Sequence, residues 1–79
     1  MDQGETWIVR IHNDDMNTFG GVTLVLEELL AEPIEECWGA AERIHRSGWV
    51  DLEPMAGTRA EQLVAALQVR GLHAKLRRA

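Results

Sequence analysis

Apolar and polar residues alternate from Thr6 to His12, with Trp7, Val9 and Ile11 on one side and Ile8, Arg10 and His12 on the other. A period of two predicts a half-buried strand. The polar run Asn13-Asp14-Asp15 ends it with side chains suited to turns, and Asn17, Thr18 and the pair Gly20-Gly21 make a loose entry into the next element. From Val22 the period lengthens. Val22, Val25, Leu26, Leu29 and Leu30 fall at i, i+3, i+4, i+7 and i+8, which predicts an amphipathic helix with Glu27 and Glu28 outward. Pro33 breaks this helix and suits the first turn of a second one, whose stripe is Ile34, Cys37, Trp38, Ala41, Ile44 and His45. Ser47-Gly48 closes it, with glycine available for a left-handed cap.

Beyond Gly48, residues 49–52 read as a short strand and residues 54–57 as a turn. Thr58 is placed to cap a third helix over residues 59–69, which buries Ala60, Leu63, Ala66 and Leu67. Gly71 ends that helix, and residues 72–77 form a last strand. The order β-α-α-β-α-β predicts a single α+β domain over residues 1–79, a three-stranded sheet covered by three helices, with residues 1–5 frayed. Trp7, Trp38 and Trp49 are core candidates; any that proves exposed points to a partner surface.

With 79 residues, 46% of them apolar, the chain has room for one small core. Its 13 acids against 8 Lys and Arg leave a net charge of −5, with an isoelectric point near 5.0. That balance argues against a nucleic-acid binder, which needs a basic stripe, and favours a partner carrying a basic group. The basic group of Lys75, Arg77 and Arg78, with Arg70 nearby, reads as a solvated strand edge. A single cysteine, Cys37, makes neither a disulfide nor a zinc cage, and on an apolar stripe it is a buried, inert thiol. No apolar run reaches membrane-spanning length and no secretory leader precedes the first strand, so a cytoplasmic protein is expected.

Chemistry concentrates at two places. His12-Asn13-Asp14-Asp15 joins a strand to a helix, where the plain reading is a turn plus acids favourably set against the helix dipole. His45 stands at the end of the second helical stripe, where the plain reading is a satisfied core histidine. If the two segments meet, they form a polar nest beside apolar walls. Nothing in such a nest calls for a nucleophile or an acid–base pair, and no enzyme, cofactor or metal is expected. A metal-dependent enzyme using His12, Asp14, Asp15 and His45 is a weaker alternative, because His12 alternates onto a different face from Asn13 and no further ligand cluster is evident.

The stretch WIVRIHNDD from Trp7 to Asp15 resembles the first strand and NDD signature of the ClpS family, adaptors for Clp proteases in the bacterial N-end rule pathway. AERIHRSG from Ala41 to Gly48 is similar to the family's M-x-x-V-H-x-x-G segment, and GLHAKL from Gly71 to Leu76 resembles the shortened last strand of actinobacterial members. The resemblance covers nearly the whole chain. It implies that Asn13, Asp14, Asp15 and His45 bind the α-amino group and first peptide of a protein's N-terminus. It further implies that Asn17, Phe19, Val22, Ala41, Ile44 and Ala74 line the apolar pocket for the first side chain. Thr58 and Arg59 match positions that contact the N-terminal domain of the ClpA or ClpC unfoldase. A cytoplasmic, monomeric adaptor for N-degrons beginning with Leu, Phe, Tyr or Trp follows, with no nucleic acid or membrane as partner.

The chain departs from the family at informative points. Asn17 stands for the usual threonine, Phe19 for methionine, and Ala41 for a methionine that gates specificity. Loss of that bulk deepens or widens the pocket unless Phe19 refills it, and predicts a preference that still favours Leu, Phe, Tyr or Trp but is relaxed toward Ile and Val. Six residues precede Trp7, where the family carries a flexible arm used in handing over substrate. Either the arm is trimmed or degrons are bound without the usual delivery. An interaction module of the same architecture, as in the C-terminal domain of the ribosomal stalk protein, is the competing expectation. The two are separated by whether Asn13, Asp14 and His45 converge on one pocket.

Overall fold

In the computed structural model, which describes residues 5–14 and 17–79, the alternating segment is strand β1, Thr6–His12. It is followed by α1 (Phe19–Leu30), α2 (Ile34–Ser47), β2 (Trp49–Asp51), β3 (Met55–Ala56), α3 (Gly57–Val69) and β4 (His73–Arg78). β1 is the centre of an antiparallel sheet. β4 pairs along its whole length on one side, Trp7↔Arg78 to His12↔His73. On the other side β2 pairs with its second half and β3 with its first two residues. The fold is the α+β order expected, with a fourth, two-residue strand added. Met55 and Ala56, expected in a turn, pair with Trp7 and Thr6 instead, which satisfies backbone groups at the start of β1.

The side chains of one sheet face are buried and those of the other are not. Val9, Ile11, Val50 and Ala74 are within the core, where they join Leu26, Ile44 and Leu67 from the three helices. Cys37 is also buried there, and burial together with Glu27, Glu32 and Glu36 nearby pushes its thiol up, as expected of an inert cysteine. Two of the three tryptophans leave this core: Trp38 is 54% exposed and Trp49 43%. Ala66 is only partly buried.

Helix ends follow local chemistry with one exception. Thr18 caps α1 through a hydroxyl that accepts from the Gly21 N–H at 3.0 Å, so Gly20 and Gly21 lie within the helix rather than ahead of it. α2 closes on Gly48 in the left-handed region at φ 91°, its N–H donating to the Ile44 carbonyl. The exception is Thr58, which sits inside α3 and does not cap it. The cap is Ala56, whose methyl can accept no bond from the helix N–H groups, because the end of the β3–β1 pairing decides where the chain turns into the helix. Glu5, within the stretch expected to fray, accepts from Arg78 at 3.3 Å; residues 1–4 lie outside the described residues.

Candidate functional site

The end of β1 and the end of α2 are tied together. The Asn13 N–H donates to the Gly48 carbonyl at 2.8 Å, three positions past His45. The glycine's positive φ turns its carbonyl toward β1, so the helix cap and the tie are one device. Asn13 and His45 are both exposed, and neither is a core residue. Among the described residues no hydrogen bond occupies the Asn13 amide or the His45 ring. The last carbonyls of α2 add the partial negative charge of a helix C-terminus at the same place.

Asp14 organises the loop that follows. Its carboxylate accepts from the Asn17 N–H at 3.0 Å, and both of its oxygens accept from the Asn17 side-chain amide at 3.0 and 3.1 Å. The same amide donates to the Gly71 carbonyl at 2.9 Å, anchoring the loop on the turn between α3 and β4. Asn17 is thus engaged by its polar end, as a strut between two loops. Asp15 lies outside the described residues.

The residues expected to line the apolar pocket come from three elements. Val22 of α1, Ala41 and Ile44 of α2 and Ala74 of β4 are buried. Phe19 opens α1 and is half-buried, its ring edge-on to Trp38 with centroids 4.5 Å apart and 6.3 Å from the ring of His45. Trp38 and His45 lie on either side of Ala41 along α2, so Phe19 spans the turn that carries the alanine. Trp38, expected in the core, is instead largely exposed. It belongs to the stripe of Ile34, Ala41 and His45, but only one side of it meets a neighbour. Nothing in the stripe itself distinguishes that from full burial.

Thr58 and Arg59 stand apart from this site. Both are exposed at the start of α3, and Arg59 borders a groove of about 600 Å³ between α2 and the segment around β2 and β3. The groove uses Gly39, Ala40 and Arg43, the opposite face of α2 from Trp38, Ala41 and His45. His12 does not join Asn13. Its ring stacks on His73 with centroids 4.9 Å apart on the outer sheet face. Among the described residues no group of three or more His, Cys, Asp or Glu side chains is arranged to hold a metal.

A sequence profile of the family described as ATP-dependent Clp protease adaptor protein ClpS matches residues 2–75. Among curated proteins none matches the chain. Of the solved structures, 18 chains match. One is Agrobacterium tumefaciens ClpS2 bound to L-phenylalaninamide, which superposes with a TM-score of 0.86 at 18% identity over 95% of this chain and 98% of that one. At that identity the likeness carries the fold, and it agrees with the profile.

Proposed function

Because the chain belongs to the ClpS family of Clp protease adaptors, we propose that it grips the free α-amino group and bulky apolar first residue of N-degron proteins and hands them to a Clp unfoldase. The observation that carries this reading is the tie between Asn13 and Gly48, which brings the Asn13 amide and the His45 ring to one end of α2 beside a buried apolar wall. A terminal amine is mostly ammonium at neutral pH and offers three donors. Asn13 and His45 supply acceptors, the Asp15 carboxylate supplies the counter-charge, and Asp14 next to Asn13 is held by Asn17. The helix end favours the same cation.

The first side chain then enters the wall of Val22, Ala41, Ile44 and Ala74. Burying a large apolar side chain there is worth roughly 1.5–3 kcal/mol. L-phenylalaninamide, the ligand of the Agrobacterium ClpS2 structure, has the two required parts, a free amine and an aromatic side chain. Ala41 is smaller than the methionine usual in the family, and this smaller side chain extends the preference from Leu, Phe, Tyr and Trp to Ile and Val. Thr58 and Arg59, exposed and remote from the amine site, meet the unfoldase's N-terminal domain, so that substrate and unfoldase are held at once. The adaptor works as a cytoplasmic monomer without cofactor or catalysis.

Fluorescent peptides beginning with Leu or Phe, each with and without N-terminal acetylation, test the reading by anisotropy. Only the free amines should bind, and a folded His45→Ala protein should bind at least roughly tenfold more weakly, the scale of one charge-assisted hydrogen bond. Equal binding of acetylated and free peptides would remove the amine from the recognition.

A further inference from the structure

The outer face of the sheet reverses the sign of the chain as a whole. The register sets His73 beside His12, Lys75 beside Arg10 and Arg77 beside Ile8, with Trp49 and Asp51 on the far side of His12 and Arg10. By alternation all of these point away from Val9, Ile11, Val50 and Ala74, which are buried. One face therefore gathers Arg10, Lys75, Arg77 and the two stacked histidines, within a chain whose net charge is −5. Its acid is Asp51, which is already taken: Arg10 donates to both of its oxygens at 2.7 and 3.0 Å, and Arg77 adds a third bond at 3.2 Å.

This arrangement is poor for the sheet. Like charges directly opposite across strands are destabilising, and Lys75 faces Arg10 in that position. Charged side chains on β4 have a plain use, since an edge strand must be kept from pairing with other chains. Edge protection does not account for Arg10 on the central strand. Nor does it account for Trp49, which stays 43% exposed while the Arg10 guanidinium lies 4.0 Å from its ring centroid. Cations interleaved with an open aromatic form a surface suited to carboxylates with an apolar residue among them.

We propose that the outer face of the sheet, centred on Arg10, Lys75, Arg77 and Trp49, is a docking surface for an acidic, extended segment of a partner protein. Its carboxylates meet Lys75 and Arg77, and an apolar side chain lies on Ile8 and Trp49. A short segment fits the charge distribution better than a nucleic acid does. Charges are screened beyond about 8 Å at physiological salt, so a segment confined to this face senses the cations and is shielded from the acids on the helices. A long phosphate backbone would run past both. The surface lies on the outer sheet face and adjoins the amine-binding end of α2 only at His12 and Trp49, without Asn13 or His45, and the proposal stands without that reading.

A labelled ten-residue peptide of alternating Asp and Glu, followed by anisotropy at low and high salt, tests this on the intact chain. The peptide should bind, more weakly as salt rises. Lys75→Glu should weaken it by about fivefold to tenfold, while Arg46→Glu on α2 leaves it within about twofold. The same Lys75→Glu change places opposite charges across from each other and should raise the Tm by about 1–5 °C, which separates loss of the surface from loss of the fold. No binding to the native chain, equal binding by Lys75→Glu, tighter binding to a ten-nucleotide oligothymidine, or a fall in Tm would each overturn the proposal.

Discussion

The two faces of β1 obey different rules. Trp7, Val9 and Ile11 turn inward, and Val9 and Ile11 are wholly buried among Ala74, Leu26 and Leu67. Ile8, Arg10 and His12 turn outward to meet Arg77, Lys75 and His73. On the inner face each residue has the size and apolarity that burial requires. On the outer face the like charges of Arg10 and Lys75 stand opposite each other, and Arg10 is held by Asp51 on its other side and by the ring of Trp49. A strand's core face is selected by packing. Its solvent face is free to be selected for something else, and here it departs from what would make the best sheet.

The comparison breaks first at Ile11. Its truncation to alanine should cost about 2–5 kcal/mol, a large part of the stability of a domain this size. The neighbouring His12→Ala on the outer face should cost within about 0.5 kcal/mol. Urea titration followed by tryptophan fluorescence measures both, and equal losses would deny the distinction between the faces.

A smaller effect is expected where both faces end. Gly48 closes α2 at φ 91° with open space around its α-carbon, so an added methyl meets no atom but demands the left-handed backbone. Gly48→Ala should cost roughly 1–2 kcal/mol. It should also loosen the tie to Asn13, weakening peptide binding more than Ser47→Ala does. Unchanged stability would show that the cap does not depend on glycine.

The smallest effect belongs to the outer face's acid. The hydrogen bond from Arg10, helped by one from Arg77 and opposed by burial, holds the Asp51 carboxyl below its ordinary range. A group depressed in the folded state stabilises above its unfolded value, near about 3.9, and that contribution is lost as pH falls through the lower folded value. The Tm of the native chain should therefore exceed that of Asp51→Asn at neutral pH, with the gap closing below about pH 4. A gap constant from neutral to acid pH would show that the ion pair does not contribute. The same sign holds for Glu28, lowered chiefly by its hydrogen bond from Arg70.

Much of this is legible in the amino-acid sequence. The alternation through residues 6–12 and the stripes of α1 and α2 were enough to place β1 and both helices, because each pattern expresses the geometry of its own segment. The family motif marked Asn13 and His45, and both stand exposed where β1 and α2 end. Thr58 was misread as a cap because it has the right chemistry at nearly the right place, yet the pairing of Met55 and Ala56 with β1 moved the helix start upstream. Trp38 and Trp49 were misread as core for a related reason. A stripe shows which side of a helix is apolar, but the breadth of the surface that covers it is a property of the neighbour.

The local pattern was enough for β1, the helical stripes, the last strand, the inner face of β1 and the residue types that gather at its end, but not for β3. These depend on backbone periods and on the conformations open to individual residues, which act over a few positions. Packing of the whole chain set Asn17, which holds Asp14, against Gly71 54 positions away, and set Lys75 against Arg10 rather than against an acid. Both depend on strand register and on loop packing. Those are settled by the whole chain at once, since a shift of one residue along β4 would turn every one of its side chains to the other face.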